Sequence, residues 1–278
     1  MNTKIEELKK ISAMARHLMV ESLISAGSGH PGGAFSSIDI ISALYFSIMN
    51  ISVAQANDPD RDRFILSKGH SSVALYAILH LKGFLSKETL LTFRQDNSCL
   101  GGHPDMHKVP GVEMSTGSLG HGLSIGVGLA YAGKIDAKQY RTFVLMGDGE
   151  TQEGSVWEAA MSAAHFKLDN LIGIVDRNMI QIDGLTEDVM ALEPYQKKWE
   201  SFGWAVRVID GHSFKSILQT CATIPFAPGK PSLIIAKTVK GKGVSFMENN
   251  PEWHGRVLKG EHAQKARQET KHALEDTA

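Results

Sequence analysis

Asp148 stands between Gly147 and Gly149 at the end of an apolar run, Thr142 to Met146. Asn178 follows thirty residues later, just behind a second apolar run, Leu171 to Val175. Two strand ends would then present a carboxylate and an amide oxygen side by side. Mg2+ and Ca2+ take oxygen ligands, and an Asp, an Asn and a nearby backbone carbonyl leave coordination positions for diphosphate oxygens. Gly149 removes the side chain where a helix N-terminus would meet such a diphosphate, which suits binding on backbone N–H groups. A Gly-Asp-Gly triplet alone is common in surface turns; the strand context and the distant Asn178 make this one specific.

Histidine directly follows glycine five times, at Gly29-His30, Gly69-His70, Gly102-His103, Gly120-His121 and Gly211-His212, in a chain with 27 glycines and 12 histidines. Glycine lets a backbone approach a ligand closely, and imidazole donates to sugar or phosphate oxygens near neutral pH. Any one pair reads as turn punctuation, but four within the first 121 residues point to a polar pocket. His17, His80, His107, His165, His212, His262 and His272 read as core or surface residues, and Met146 and Met161 as packing.

Such residues need elements to hold them. Apolar residues at helical spacing predict a helix from Ile5 to Ser25 and a second from about Ser37 to Met49. A short run, Arg63 to Leu66, then Ser67 to His70, then Val73 to Lys82 reads as strand, glycine turn and helix. The same grammar recurs at Thr142 to Met146, with a helix from about Ser155 to Leu168 and a strand from Leu171 to Val175. Ala205 to Ile209 and Leu233 to Lys237 read as strands around a helix near Phe214 to Ala222. This alternation predicts an α/β fold, a mostly parallel central sheet with helices on both faces, whose ligands sit at the carboxyl ends of the strands. Asn97 to Gly122 reads as a long functional loop. No boundary divides residues 1–278, which are expected to form a single domain; the charged stretch 262–278 lacks an apolar stripe and is expected to fray or to lie on a partner.

Composition narrows the function classes. A formal net charge of -1 over 278 residues, without basic clusters, offers no footprint for nucleic acid or an anionic membrane. The apolar runs fall far short of the ~20 residues a spanning helix requires. Met1 to Lys10 is polar and charged with no apolar signal core, and the two cysteines, Cys99 and Cys221, make a disulfide framework improbable, so a cytoplasmic location is expected.

The Gly-Asp-Gly to Asn pattern resembles the shared motif of thiamine-diphosphate enzymes, and further segments resemble transketolases in transketolase order. These are Ser28 to Gly33, Asp62 to His70, Gly102-His103-Pro104, Gly117 to Gly122, Gly147 to Ala159, Lys237 to Gly241 and Trp253-His254-Gly255. The resemblance runs from about Ala15 to Gly255 and implies the thiamine-diphosphate-binding fold. It implies Asp148, Asn178 and the carbonyl of Ile180 as ligands of a divalent metal, Mg2+ or else Ca2+ or Mn2+. It places His70, Gly149 and His254 on the diphosphate, Gly117 and Leu119 on the cofactor rings, and Ile182 as an apolar wall beside them. His30, His70, His103 and His254 would line a sugar channel as catalytic groups. Glu153 would belong to an interface network linking two active sites, although its position also suits a helix N-terminus, where a carboxylate gains about 0.3 to 1 kcal/mol.

The implied activity is transfer of a two-carbon ketol unit from a ketose phosphate to an aldose phosphate, as in the pentose phosphate pathway. The domain carrying the activating glutamate, the aromatic clamp on the pyrimidine ring and the phosphate-binding arginines has no counterpart here, so the resemblance implies a partner subunit bearing the pyrimidine-binding domain, in an α2β2 assembly. His121 departs from the family, many members of which carry glutamine there. The other readings are the α subunit of a thiamine-dependent 2-oxoacid dehydrogenase, a fragment of a 1-deoxyxylulose-phosphate synthase, and a non-catalytic cofactor-binding scaffold. Trp157 to Ala163 and Ser28 to Gly33 favour transketolase over the synthase, and an idle scaffold has no physical need for Asp148, Asn178, His30, His70 and His103 together.

Overall fold

A computed structural model describes residues 1–182 and 184–277. Five strands form one parallel sheet, β1 (Arg63–Leu66), β2 (Thr142–Gly147), β3 (Leu171–Arg177), β6 (Ala205–Asp210) and β7 (Ser232–Lys237), in the order β1-β2-β3-β7-β6. The antiparallel pair β4 (Ile180–Gln181) and β5 (Gly184–Leu185) lies beyond β3. β2 and β3 are continuous apolar runs because both of their faces are covered. Alternate side chains leave the sheet on opposite sides: Phe64 and Leu66 join one core cluster and Ile65 the other.

The first layer contains α1 (Asn2–Ala26), α2 (Pro31–Ala43), α3 (Ser72–Lys82) and α9 (Phe214–Cys221). The short α4 (Lys87–Leu90) follows α3. The second layer holds α5 (His121–Ile135), α6 (Gly154–His165) and α8 (Tyr195–Ser201), while the single-turn α7 (Thr186–Val189) follows β5. α2 begins at Pro31, earlier than the periodicity predicts, because proline suits the first helical position, and His30 becomes its N-cap. Every residue of α2 is buried, which erases the amphipathic pattern.

α5 falls where the sequence pattern offers no helix. Gly122, Gly126, Gly128 and Gly133 weaken its intrinsic propensity. Their role is close packing: a Cβ at Gly122 would stand 2.4 Å from the Cβ of Ser67, and one at Gly126 would stand 2.5 Å from a Val144 methyl.

The charged stretch beyond Lys259 forms α10 (Gly260–Glu275) against α1. Small residues, Ala263, Ala266 and Thr270, fill the buried face that a stripe of large apolar residues would otherwise occupy. Arg267 Nε donates to Glu21 Oε1 at 2.6 Å, and His17 Nδ1 lies 3.2 Å from the Thr270 hydroxyl. The last residue of that stretch, Ala278, lies outside the described residues. Among the described residues no helix is long and apolar enough to cross a membrane.

The register sets the site. Leu66 pairs with Leu145, Gly147 with Asp176, and Arg177 with Lys237, so the carboxyl ends of β1, β2, β3 and β7 open onto one edge.

Candidate active site

A cavity of about 360 Å³ lies at that edge. Asp148, Gly149, Glu153, Asn178, Ile180 and Ile182 line it from the ends of β2 and β3. His30, His70, His103, Gly117, Leu119 and His254 line it from the loops of the other layer. The loops meet because a glycine stands at a crowded crossing: a Cβ on Gly69 would lie 2.8 Å from the backbone of Gly117. At Gly149 the crowding comes from the protein itself, since a Cβ would stand 2.7 Å from that of Gln181.

Asp148 is buried. Its Oδ2 accepts from the Met179 amide at 2.8 Å and from Arg177 Nη1 at 3.2 Å, and its Oδ1 accepts from the Gly149 amide at 2.8 Å. Burial, reinforced by the nearby Asp176, raises its carboxyl above the ordinary range, with Arg177 opposing. Asn178 Oδ1 accepts from the Ile180 amide at 3.1 Å. Met179 (φ 67°) and Ile182 (φ 36°) adopt left-handed backbone, a strained state for such side chains that tight loops around a site can hold.

The donor set fits a hard divalent cation. It comprises a carboxylate, an amide oxygen and a carbonyl, the ligand types such a cation takes. A divalent cation would also relieve the desolvation that disfavours ionised Asp148.

Two lysines bring positive charge to the cavity. Lys68 Nζ donates to the Gly33 carbonyl at 2.7 Å and pairs with Asp176 in a fully buried ion pair. Burial would raise Asp176; the Lys68 ammonium and the hydroxyls of Ser36 and Thr238 outweigh it and hold the carboxyl below its ordinary value. Lys240 Nζ donates to the Ile180 carbonyl at 3.1 Å and lies 3.1 Å from His254 Nδ1. Burial, then Lys68, pushes Lys240 down to about 8, with Asp148 and Asp176 opposing.

His30, His70 and His254 form a triangle with ring centroids 5.3 to 5.6 Å apart. Burial is the first cause lowering each: His254 falls to about 4 with Lys240 assisting, His70 falls well below its ordinary value with Lys68 assisting, and His30 is lowered with Arg94 assisting. His103, whose ring packs against Gly117, is lowered by burial and by Arg94. The four imidazoles are therefore neutral near pH 7, each with one N–H to donate and one nitrogen to accept. His30 Nδ1 is buried with no hydrogen-bond partner.

Glu150 gathers the loops. Its Oε1 accepts from the Gly120 amide at 2.9 Å and from the Ser67 hydroxyl, while Oε2 accepts from the Gly147 amide at 2.9 Å. Burial raises its carboxyl, against these bonds. Gln152 and Gln181 pair across the mouth, Gln181 Nε2 donating to Gln152 Oε1 at 2.9 Å. Sequence reasoning singled out neither the two lysines nor Glu150 nor these glutamines. Lys68, Lys240, Glu150 and Gln152 all lie inside segments matched to the family, which is the signal that could have found them; Gln181 lies outside those segments. Glu153 immediately precedes α6 and makes no side-chain capping bond; His121, at the start of α5, stays exposed, with Nδ1 3.3 Å from the Leu119 carbonyl.

An α/β domain with oxygen donors at two strand ends and cationic and imidazole groups facing them suits an anionic ligand, and comparison with known proteins names the class. Residues 7–275 match the transketolase, thiamine diphosphate binding domain family, and the chain belongs to the transketolase family, as an N-terminal transketolase subunit. It is similar to a subunit of the apulose-4-phosphate transketolase of Phocaeicola vulgatus, 45% identical over 98% of this chain and 96% of that one. It is also similar to a 6-deoxy-6-sulfo-D-fructose transketolase subunit from a Clostridium species, 42% identical over 91% of this chain and 92% of the other. Among solved structures, the transketolase of Campylobacter jejuni superposes with a TM-score of 0.88 at 35% identity, covering 95% of this chain and 42% of that one. The chain thus spans under half of the single-chain enzyme. The relatives named here are transketolases, and the 2-oxoacid dehydrogenase reading is not favoured.

Proposed function

We propose that the cavity binds thiamine diphosphate through a divalent cation held by Asp148, Asn178 and the Ile180 carbonyl, and that the chain transfers two-carbon ketol units when joined to a partner subunit. The observation that carries this reading is that Asp148, Asn178 and Ile180 line one cavity together with Lys240 and the four histidines His30, His70, His103 and His254. Mg2+ is the cation of choice; Ca2+ and Mn2+ suit the same donors. Thiamine diphosphate supplies the nucleophilic carbon and the electron sink for carbon–carbon cleavage.

The remaining roles belong to this chain's residues. His70, Gly149, His254 and the two lysines face the diphosphate. Gly117, Leu119 and Ile182 wall the rings with backbone and apolar surface. His30 and His103, neutral at pH 7, hold sugar hydroxyls and move protons to and from the sugar oxygens, with His70 and His254 behind them. Glu153, at the rim, reaches toward a neighbouring site across a subunit interface.

Three relatives similar in length to this chain are named as subunits of transketolases rather than as whole enzymes, which supports a partner chain. That partner would bring the pyrimidine-binding domain, with two copies of each chain in the active assembly, in the cytoplasm. Relatives named for apulose-4-phosphate and for 6-deoxy-6-sulfo-D-fructose widen the substrate field beyond the pentose phosphate pathway, to ketoses with a phosphate or sulfonate terminus that the partner would read. Calorimetric titration of thiamine diphosphate into the purified complex, with and without Mg2+, tests the cofactor assignment. Metal-dependent binding is expected, and equal binding in a chelator would contradict the assigned ligands.

A further inference from the structure

The fifth Gly-His pair, Gly211-His212, lies outside the cavity, and its histidine is not an isolated surface group. Asp39, buried in α2, takes a bidentate contact from Arg16 of α1: Nη1 reaches Oδ1 at 2.9 Å and Nη2 reaches Oδ2 at 2.7 Å. His212 Nδ1 lies 2.7 Å from the same Oδ2. On the other side of the ring, the Val239 amide donates to Nε2 at 2.8 Å. An amide N–H can only donate, so Nε2 is unprotonated and Nδ1 carries the proton toward Asp39. The carboxylate thereby fixes both the tautomer and the ring plane.

Val239 immediately precedes Lys240. Two residues beyond Lys240, the Lys242 carbonyl accepts from Arg16 Nε at 3.0 Å. The same carboxylate thus grips the backbone on both sides of Lys240, through His212 before it and through Arg16 after it. Gly243, in left-handed backbone at φ 93°, lets that segment lie against Arg16, where a Cβ would meet Cδ at 2.9 Å. The Gly241 amide ties the segment to the Gly32 carbonyl at 3.0 Å. From this clamped stretch the Lys240 side chain crosses into the cavity, to the Ile180 carbonyl and His254.

We propose that Arg16, Asp39 and His212 are positioning residues that hold Lys240 in place for an anionic cofactor. None of them lines the cavity, so they act through the Val239–Lys242 backbone. The proposal rests on the reading that Lys240 faces the diphosphate, and the test separates the two. A flexible ammonium loses rotamer and backbone freedom when it binds, and a pre-set one has already lost it.

The experiment is a double-mutant cycle on thiamine diphosphate affinity, with Mg2+ present, in the complex with the partner subunit. His212→Leu removes the acceptor for Val239, whereas His212→Gln retains an oxygen acceptor near the Nε2 position. The expected result is a loss of about tenfold for H212L and recovery to within about threefold of wild type for H212Q, on the scale of one charge-assisted contact. In a Lys240→Met background, H212L should produce no further loss, because the two sites act through one group. Full additivity of the two losses, or a lowered melting temperature with unchanged affinity in H212L, overturns the proposal. If wild type binds but K240M binds equally well, the assigned role of Lys240 fails and this proposal with it. Absence of binding in wild type overturns the cofactor reading itself.

Discussion

The ammonium of Lys240 donates to the carbonyl oxygen of Ile180 at 3.1 Å, joining the segment after β7 to β4. That contact places a cation whose pKa is about 8 beside the oxygen donors of the site.

The first prediction follows from that value. A lysine that loses its charge as pH rises through about 8 attracts a diphosphate less above that pH. Thiamine diphosphate affinity should therefore decline between about pH 7.5 and 9 in the wild-type complex. Lys240→Met should bind more weakly and lack that decline, as calorimetry at a series of pH values would show.

A second prediction concerns Asp148. Asp148→Ala removes a metal ligand and leaves Arg177, its partner at 3.2 Å, with less compensation. Metal-dependent cofactor binding should vanish, while Arg177 keeps its pairs with Glu187 at 2.8 Å and Glu193 at 3.1 Å, so the variant should stay folded. Full cofactor affinity in the mutant complex would refute the metal assignment.

His30→Ala and His103→Ala should separate chemistry from binding. Turnover should drop by about 10² or more, the range for a lost acid–base group, while cofactor affinity stays near wild type. Unchanged turnover would return both histidines to ordinary packing.

The imidazoles also make stability depend on pH. His254, His70 and His30 have folded-state values below the ~6.5 of an unfolded chain, so the unfolded state takes up protons that the native state refuses. Their contribution is complete above about 6.5 and is lost as pH falls toward the folded values. Urea midpoints should decline between about pH 7 and 5, and His254→Gln should flatten the decline.

α5 offers a paired test of packing. Gly126→Ala drives a methyl into Val144 and should cost about 1 to 3 kcal/mol, whereas Gly128→Ala meets nothing within 4 Å and should stabilise by about 0.5 to 1 kcal/mol. Chemical denaturation of both variants measures the contrast.

Much of this was legible in the residues. Arg63–Leu66 and Leu171–Val175 stood out because strands buried on both faces are apolar without interruption. The family was legible from the Gly-Asp-Gly to Asn spacing and the segments around His30, His70 and His103. α5 was not, because glycines chosen for close packing carry no helical signal. Glu150 and Lys68 resemble surface charges until the fold buries them, and their partners Gly120 and Asp176 lie 30 and 108 residues away. The stretch that forms α10 reads as helix-prone, but its packing on α1 was hidden because its buried face is alanine and threonine.

The central claim is that this chain works as half of a thiamine-dependent ketol transferase. The direct measurement is two-carbon transfer from xylulose 5-phosphate, or a ketose with another charged terminus, to ribose 5-phosphate, with thiamine diphosphate and Mg2+. It should be run on the chain alone and on the chain co-expressed with the product of its neighbouring gene. Transfer only with the neighbour is the predicted result; full transfer by this chain alone would contradict the account.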